Sequence, residues 1–157
     1  MKLIIDNNIV IFLGNFYLKN YDLKDYNNIE KNLLKLLNKY SVDINGYYNV
    51  FIYHDKNYGL IIDMQKEDLE YLDYFNNQVE LNIEIIEDSF LYEIEDILNI
   101  NKDILINFTI YKKNYHFYLE TKEKINPIKL GILLENSKII YGKKAKKIKK
   151  DSKIITK

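Results

Sequence analysis

Two histidines, two groups of carboxylates and one run of lysines are the side chains whose types and spacing could carry chemistry in this chain. Histidine changes charge near neutral pH, so it is the first place to look for proton transfer. His54 closes an apolar stretch just before Asp55, and His116 follows the turn Lys112-Lys113-Asn114. A zinc-type site needs a third ligand at a defined spacing, and neither His-x-x-x-His nor Glu-x-x-His occurs. Each histidine follows a tyrosine, Tyr53 or Tyr115, at the edge of a strand-like segment, which assigns both a structural role.

The carboxylates fall in the run Glu67–Asp73 and in the group Glu84, Glu87, Asp88, Glu93, Glu95 and Asp96. Clustered carboxylate oxygens suit magnesium or calcium. A calcium loop also needs a glycine at its sharp turn, and none lies between Gly59 and Gly131. No metal or other cofactor is therefore expected. From Leu60 to Ile97 there are 12 Asp and Glu against one lysine, Lys66, a net charge of −11. Glu80, Glu84, Glu87 and Asp88 are expected to form the acidic face that meets a protein partner.

At the other end, Lys143, Lys144, Lys146, Lys147, Lys149 and Lys150 place six lysines within eight residues. From Lys143 to Lys157 eight lysines face one acid, Asp151, a net charge of +7. Such a run attracts phosphates through counterion release and fits DNA, RNA or an anionic membrane surface. All 23 basic residues are lysine, so the bidentate guanidinium fork is missing and any phosphate site must use lysine or backbone N–H groups. The 26 isoleucines, 20 asparagines and 15 tyrosines are what an AT-rich genome supplies. Glycines 14, 46, 59, 131 and 142 never cluster into a P-loop or dinucleotide fingerprint, and no serine sits in a nucleophile elbow. The absence of cysteine excludes disulfides, thiol nucleophiles and cysteine-based zinc sites, which fits a reducing compartment.

The elements that would position these groups are short. Lys2–Ile5 and Ile9–Leu13 read as strands about Asp6-Asn7-Asn8, and Gly14–Asp25 as a polar connection. Asn28–Tyr40 repeats Ile29, Leu33, Leu36, Leu37 and Tyr40 at helical spacing, with Asn27 and Glu30 placed as a capping box. Tyr47–His54 and Gly59–Met64 form a hairpin, Glu67–Phe75 a short acidic helix, and Val79–Ile85 a strand alternating apolar and polar residues. Phe90–Leu98 fits helix and strand, with helix preferred. Ile104–Tyr111 and Tyr115–Glu120 form a second hairpin whose inner face is Ile104, Ile106, Phe108 and Ile110. Pro127 opens a helix through Leu134, and Lys138–Tyr141 is the last strand. The tripeptide Lys-Asn-Tyr, at Lys19–Tyr21, Lys56–Tyr58 and Lys113–Tyr115, reads as turn chemistry.

The fold class expected is α+β: an antiparallel sheet built from hairpins, with two or three short helices packed on one face. Both longer hairpins are expected to share one sheet with Val79–Ile85. The chain should form a single domain over 1–142 followed by a basic, flexible C-terminal tail, 143–157. No segment is apolar for long enough to span a membrane, and the interrupted N-terminal runs lack a secretory signal, so the cytoplasm is expected. Functionally, the sequence points first to a small non-catalytic binding or regulatory protein of inhibitor, immunity or mobile-element type. It would act on a protein partner through an acidic, tyrosine-rich surface. The alternatives are a nucleic-acid-associated protein using the lysine run, and an enzyme with a carboxylate or histidine site.

Overall fold

The structure, a computed structural model, describes residues 2–6, 8–15, 18, 23, 27–55, 57–67 and 78–155. It falls into two compact units, one of residues 1–54 and 58–87, the other of residues 55–57 and 88–157. Each unit holds its own five-stranded sheet and its own core.

In the first unit β1 (Lys2–Ile5), β2 (Asn8–Gly14), β3 (Gly46–Asp55), β4 (Gly59–Glu67) and β5 (Val79–Glu87) are ordered β1-β2-β4-β3-β5. Strands β1 and β2 pair antiparallel, as do β2 and β4, while β5 runs parallel to β3 from Gly46↔Val79 to His54↔Glu87. Alternation puts Ile9, Ile11, Leu13, Val50, Ile52, Leu60, Ile62 and Met64 on one face. Helix α1 (Ile29–Lys39) covers that face with Ile29, Leu33, Leu36 and Leu37, the stripe read from the sequence. Its N-cap is Asn28, so Asn27 does not start the expected capping box. Gly59 is obligatory. Its φ is +136°, and an added Cβ would lie 2.2 Å from the carbonyl oxygen of Leu13. The acidic helix expected at Glu67–Phe75 lies outside the described residues except for Glu67, which ends β4.

The strands of the second unit are β6 (Leu91–Ile94), β7 (Phe108–Lys113), β8 (His116–Thr121), β9 (Ser137–Ile140) and β10 (Lys153–Ile154). They form a fully antiparallel sheet in the order β10-β7-β8-β6-β9. On one face α2 (Lys102–Leu105) and α3 (Pro127–Glu135) pack Ile104 and Leu133 against Tyr92, Ile94, Phe108 and Leu119. On the other, α4 (Gly142–Asp151) packs Ala145 and Ile148 against Leu91, Tyr118 and Ile140. The α+β class with hairpins and short helices stands. In this unit, however, helices cover both faces.

Three expectations change here. The segment preferred as helix, Phe90–Leu98, contains strand β6 and then one 3-10 turn, Ile97–Asn99. Central strand β6 buries Leu91 on one face and Tyr92 and Ile94 on the other, so its apolar run loses the alternation that marks a strand. Ile104 and Ile106 precede β7 instead of belonging to it. Asn101 accepts a hydrogen bond from the Asp103 N–H and starts α2, leaving Ile106 72% exposed. The two longer hairpins, expected in one sheet, occupy different sheets.

Candidate functional site

The four carboxylates singled out as an acidic face have different surroundings. Glu80 and Glu84 are exposed on β5, opposite Tyr47 and Phe51 of β3 in the parallel register. Asn82 lies between them and donates a hydrogen bond to Asn49. This side of the first sheet, away from α1, thus combines carboxylates with half-buried aromatics, and the Phe51 and Tyr53 rings lie 6.5 Å apart. Glu87 is engaged: both its carboxylate oxygens lie 2.8 Å from Nδ1 of His54, directly across the β3–β5 pair. His54 is buried, and its Nε2 has no hydrogen-bond partner among the described residues. One ring nitrogen is taken by Glu87 and the other is shielded, which is a structural arrangement.

Asp88 belongs to the second unit and is half-buried. Its Oδ1 accepts from the Ser89 N–H, and its Oδ2 accepts from the Gly142 N–H at 2.6 Å. A carboxylate at that position satisfies an orphan donor at the first turn of α4 and opposes the positive end of the helix dipole. Gly142 has φ +64°, a left-handed conformation that glycine adopts freely as the chain turns from β9 into the helix. Of the four carboxylates, only Glu80 and Glu84 remain as a pair on one exposed strand face.

The lysine run, expected as a flexible tail, is helix α4. Gly142, Ala145 and Ile148 face inward, and the next residue, Lys149, turns inward with them. Its ammonium donates to the Ser89 carbonyl at 3.1 Å, to Glu120 Oε1 at 2.7 Å, and to the Ser89 hydroxyl. The Tyr111 hydroxyl donates to the other Glu120 oxygen at 2.7 Å. Burial raises the Glu120 pKa, but the hydrogen bonds from Lys149, Ser89 and Tyr111 outweigh it and hold the carboxyl below its ordinary value. The same burial, with the carboxylate beside it, pushes the Tyr111 hydroxyl up to about 12. A serine beside a lysine has the composition of a nucleophile–base pair. Here the lysine is committed to a carboxylate, so the cluster anchors α4 to the sheet.

This cluster gives a pH prediction. A carboxyl whose folded pKa is depressed stabilises the fold above its unfolded pKa, and that contribution is lost as pH falls through the lower folded value. Glu120→Gln should therefore cost about 1–3 kcal/mol at pH 7, the scale of a hydrogen bond to a charged group. The deficit should shrink below the ordinary glutamate pKa of 4.5. Urea unfolding of both proteins at neutral and acid pH measures it; a deficit equal at both would contradict the assignment.

Five of the six lysines point away from the core. Lys143, Lys146, Lys147 and Lys150 stand at i, i+3, i+4 and i+7, which is one face of a helix. Among the described residues no carboxylate lies within 4.0 Å of any of these four. Asp151, the nearest acid in sequence, is joined to Lys113 at 3.0 Å, and that lysine holds its pKa down. Charge also divides between the two units. The first carries 7 lysines against 13 Asp and Glu, a net −6, and the second 16 lysines against 10, a net +6.

His116 lines a cavity of about 440 Å³ in the second unit, together with Glu93, Glu95, Asp96, Glu135 and Lys138. Its Nδ1 is 3.2 Å from Glu93 Oε1. Among the described residues no three His, Cys, Asp or Glu side chains are grouped so as to hold a metal ion. No described helix is long and apolar enough to cross a membrane. Sequence reasoning found the lysines but not what anchors their helix: Asp88, which it assigned to the acidic face, Ser89 and Glu120. These lie 54, 60 and 29 residues from their partners, so no local spacing signals them. Comparison with protein-family models, curated proteins and solved structures returned no match.

Proposed function

We propose that the protein binds nucleic acid, without regard to sequence, through the outer face of α4. The observation that carries this reading is the row Lys143, Lys146, Lys147 and Lys150 on a helix whose opposite side is packed into a core. A flexible lysine tail must be ordered when it binds, whereas a packed helix presents its charges in place. Four like charges at these spacings also repel one another at some cost to the helix, a cost that a purely structural helix would avoid. Without arginine the planar guanidinium fork is missing, and the outer face of α4 offers lysine ammoniums, so affinity would come chiefly from phosphates and carry little base specificity. A membrane surface fits less well, because an interfacial helix inserts its apolar side, and α4 has buried its own.

A second reading keeps the protein partner. Glu80 and Glu84, beside Tyr47 and Phe51 on the first sheet, would receive a basic partner. One pair of titrations separates the readings. Fluorescence anisotropy with a labelled oligonucleotide, and separately with a labelled lysine-rich peptide, should show saturable binding of the oligonucleotide. Peptide binding without oligonucleotide binding would favour the acidic face and reject the first reading.

A further inference from the structure

Tyr115 is 93% exposed at the two-residue turn between β7 and β8, flanked by the paired residues Lys113 and His116. Asn114 supplies the turn's left-handed conformation with φ 55°. The turn therefore does not need an aromatic residue after the asparagine. Tyr58, in the same tripeptide context, is 5% exposed, and burial pushes its hydroxyl up to about 12. One tyrosine is spent on packing. The other is held in water with its whole ring available.

The position of that ring ties it to the lysine row. Lys113, at the base of the turn, is bonded to Asp151, the residue after Lys150. Strand β10 follows α4 at once and pairs Lys153 with Lys112 and Ile154 with Tyr111. The β7–β8 tip thus stands beside the C-terminal end of α4, where the row ends. From Lys143 to Lys150 the row spans about 10 Å of helix axis.

Resting on the nucleic-acid reading above, we propose that the ligand is a single strand whose phosphates follow the α4 lysines and whose next base stacks on Tyr115. Stacking on an aromatic ring needs an unpaired base face, which a duplex withholds and a single strand offers. A tyrosine ring accepts any base, in keeping with a surface that has no guanidinium for reading base edges.

The test uses the full chain with short single-stranded and duplex oligonucleotides of the same sequence. Tyr115→Ala should weaken single-strand binding about tenfold, the scale of one base–aromatic stack. It should leave duplex binding and the salt dependence unchanged, and Tyr115→Phe should retain full affinity. Because the chain has no tryptophan, Tyr115→Trp creates a single tryptophan, which can be excited apart from the tyrosines and which a stacked base quenches. Single-strand binding by Tyr115→Ala within about twofold of wild type, or an equal loss on duplex, overturns the stacking platform. If lysine replacement still removes binding in that case, the nucleic-acid reading stands and only Tyr115 is excluded. If the wild-type chain binds neither oligonucleotide, both fall.

Discussion

Replacing Lys143, Lys146, Lys147 and Lys150 with glutamate should abolish nucleic-acid binding and leave the protein folded. On the proposed reading the row supplies the charge that attracts phosphate. Reversal turns four attractions into four repulsions on a helix that stays where it is. Each site is exposed, and exposed substitutions usually change stability by no more than about 0.5 kcal/mol. The contacts that fix α4 are elsewhere: Asp88 at its N-terminus, Ala145 and Ile148 in the core, and Lys149 on Glu120. Affinity should fall by more than about 100-fold at moderate salt, since log affinity depends on the number of phosphates contacted. Replacement with glutamine should also remove binding while slightly raising thermal stability, because it relieves lysine–lysine repulsion at i, i+3 and i+4. Anisotropy titration with circular dichroism on the same samples checks both parts. A glutamine variant that is much less stable would make these lysines structural.

Leu33→Ala carries the largest expected loss of stability, about 2–5 kcal/mol, the range for emptying a fully buried leucine site. Leu33 is completely buried between α1 and the first sheet, with Leu36 and Leu37 beside it. The expected readout is a lower urea midpoint for the transition that includes the first unit. A loss below about half a kcal/mol would place α1 on the surface and contradict its packing.

The contrast between α1 and α4 shows what the sequence could reveal. Helix α1 has four apolar residues at helical spacing, so both its existence and its buried face are legible without a structure. Helix α4 has two buried side chains with any apolar bulk, Ala145 and Ile148, among six lysines. A ten-residue stretch of that composition resembles a solvated tail. Its helical state depends on partners distant in sequence, chiefly Asp88 and Glu120. Strand β5 was equally legible, with Val79, Leu81, Ile83 and Ile85 alternating against Glu80, Asn82 and Glu84. Its parallel pairing with β3 was not, because register and direction leave no trace in alternation alone. Strand β6 failed for the opposite reason, since burial on both faces erased the pattern. As for the site, the charged residues could be picked out by type. Which of them are occupied by the fold could not: Glu87 by His54, Asp88 by Gly142 and Lys149 by Glu120.

The claim that α4 is a phosphate-binding surface is tested most directly by the salt dependence of single-strand binding. Four lysine–phosphate contacts predict a slope of log affinity against log salt of about −3, at ~0.7 per contact on a single strand. Between about 50 and 200 mM salt that is a fall of roughly 50-fold. The quadruple alanine variant of Lys143, Lys146, Lys147 and Lys150 should lose that slope together with most of the affinity. An unchanged slope in the variant, or no binding by the wild-type chain at the lowest salt, would contradict the account.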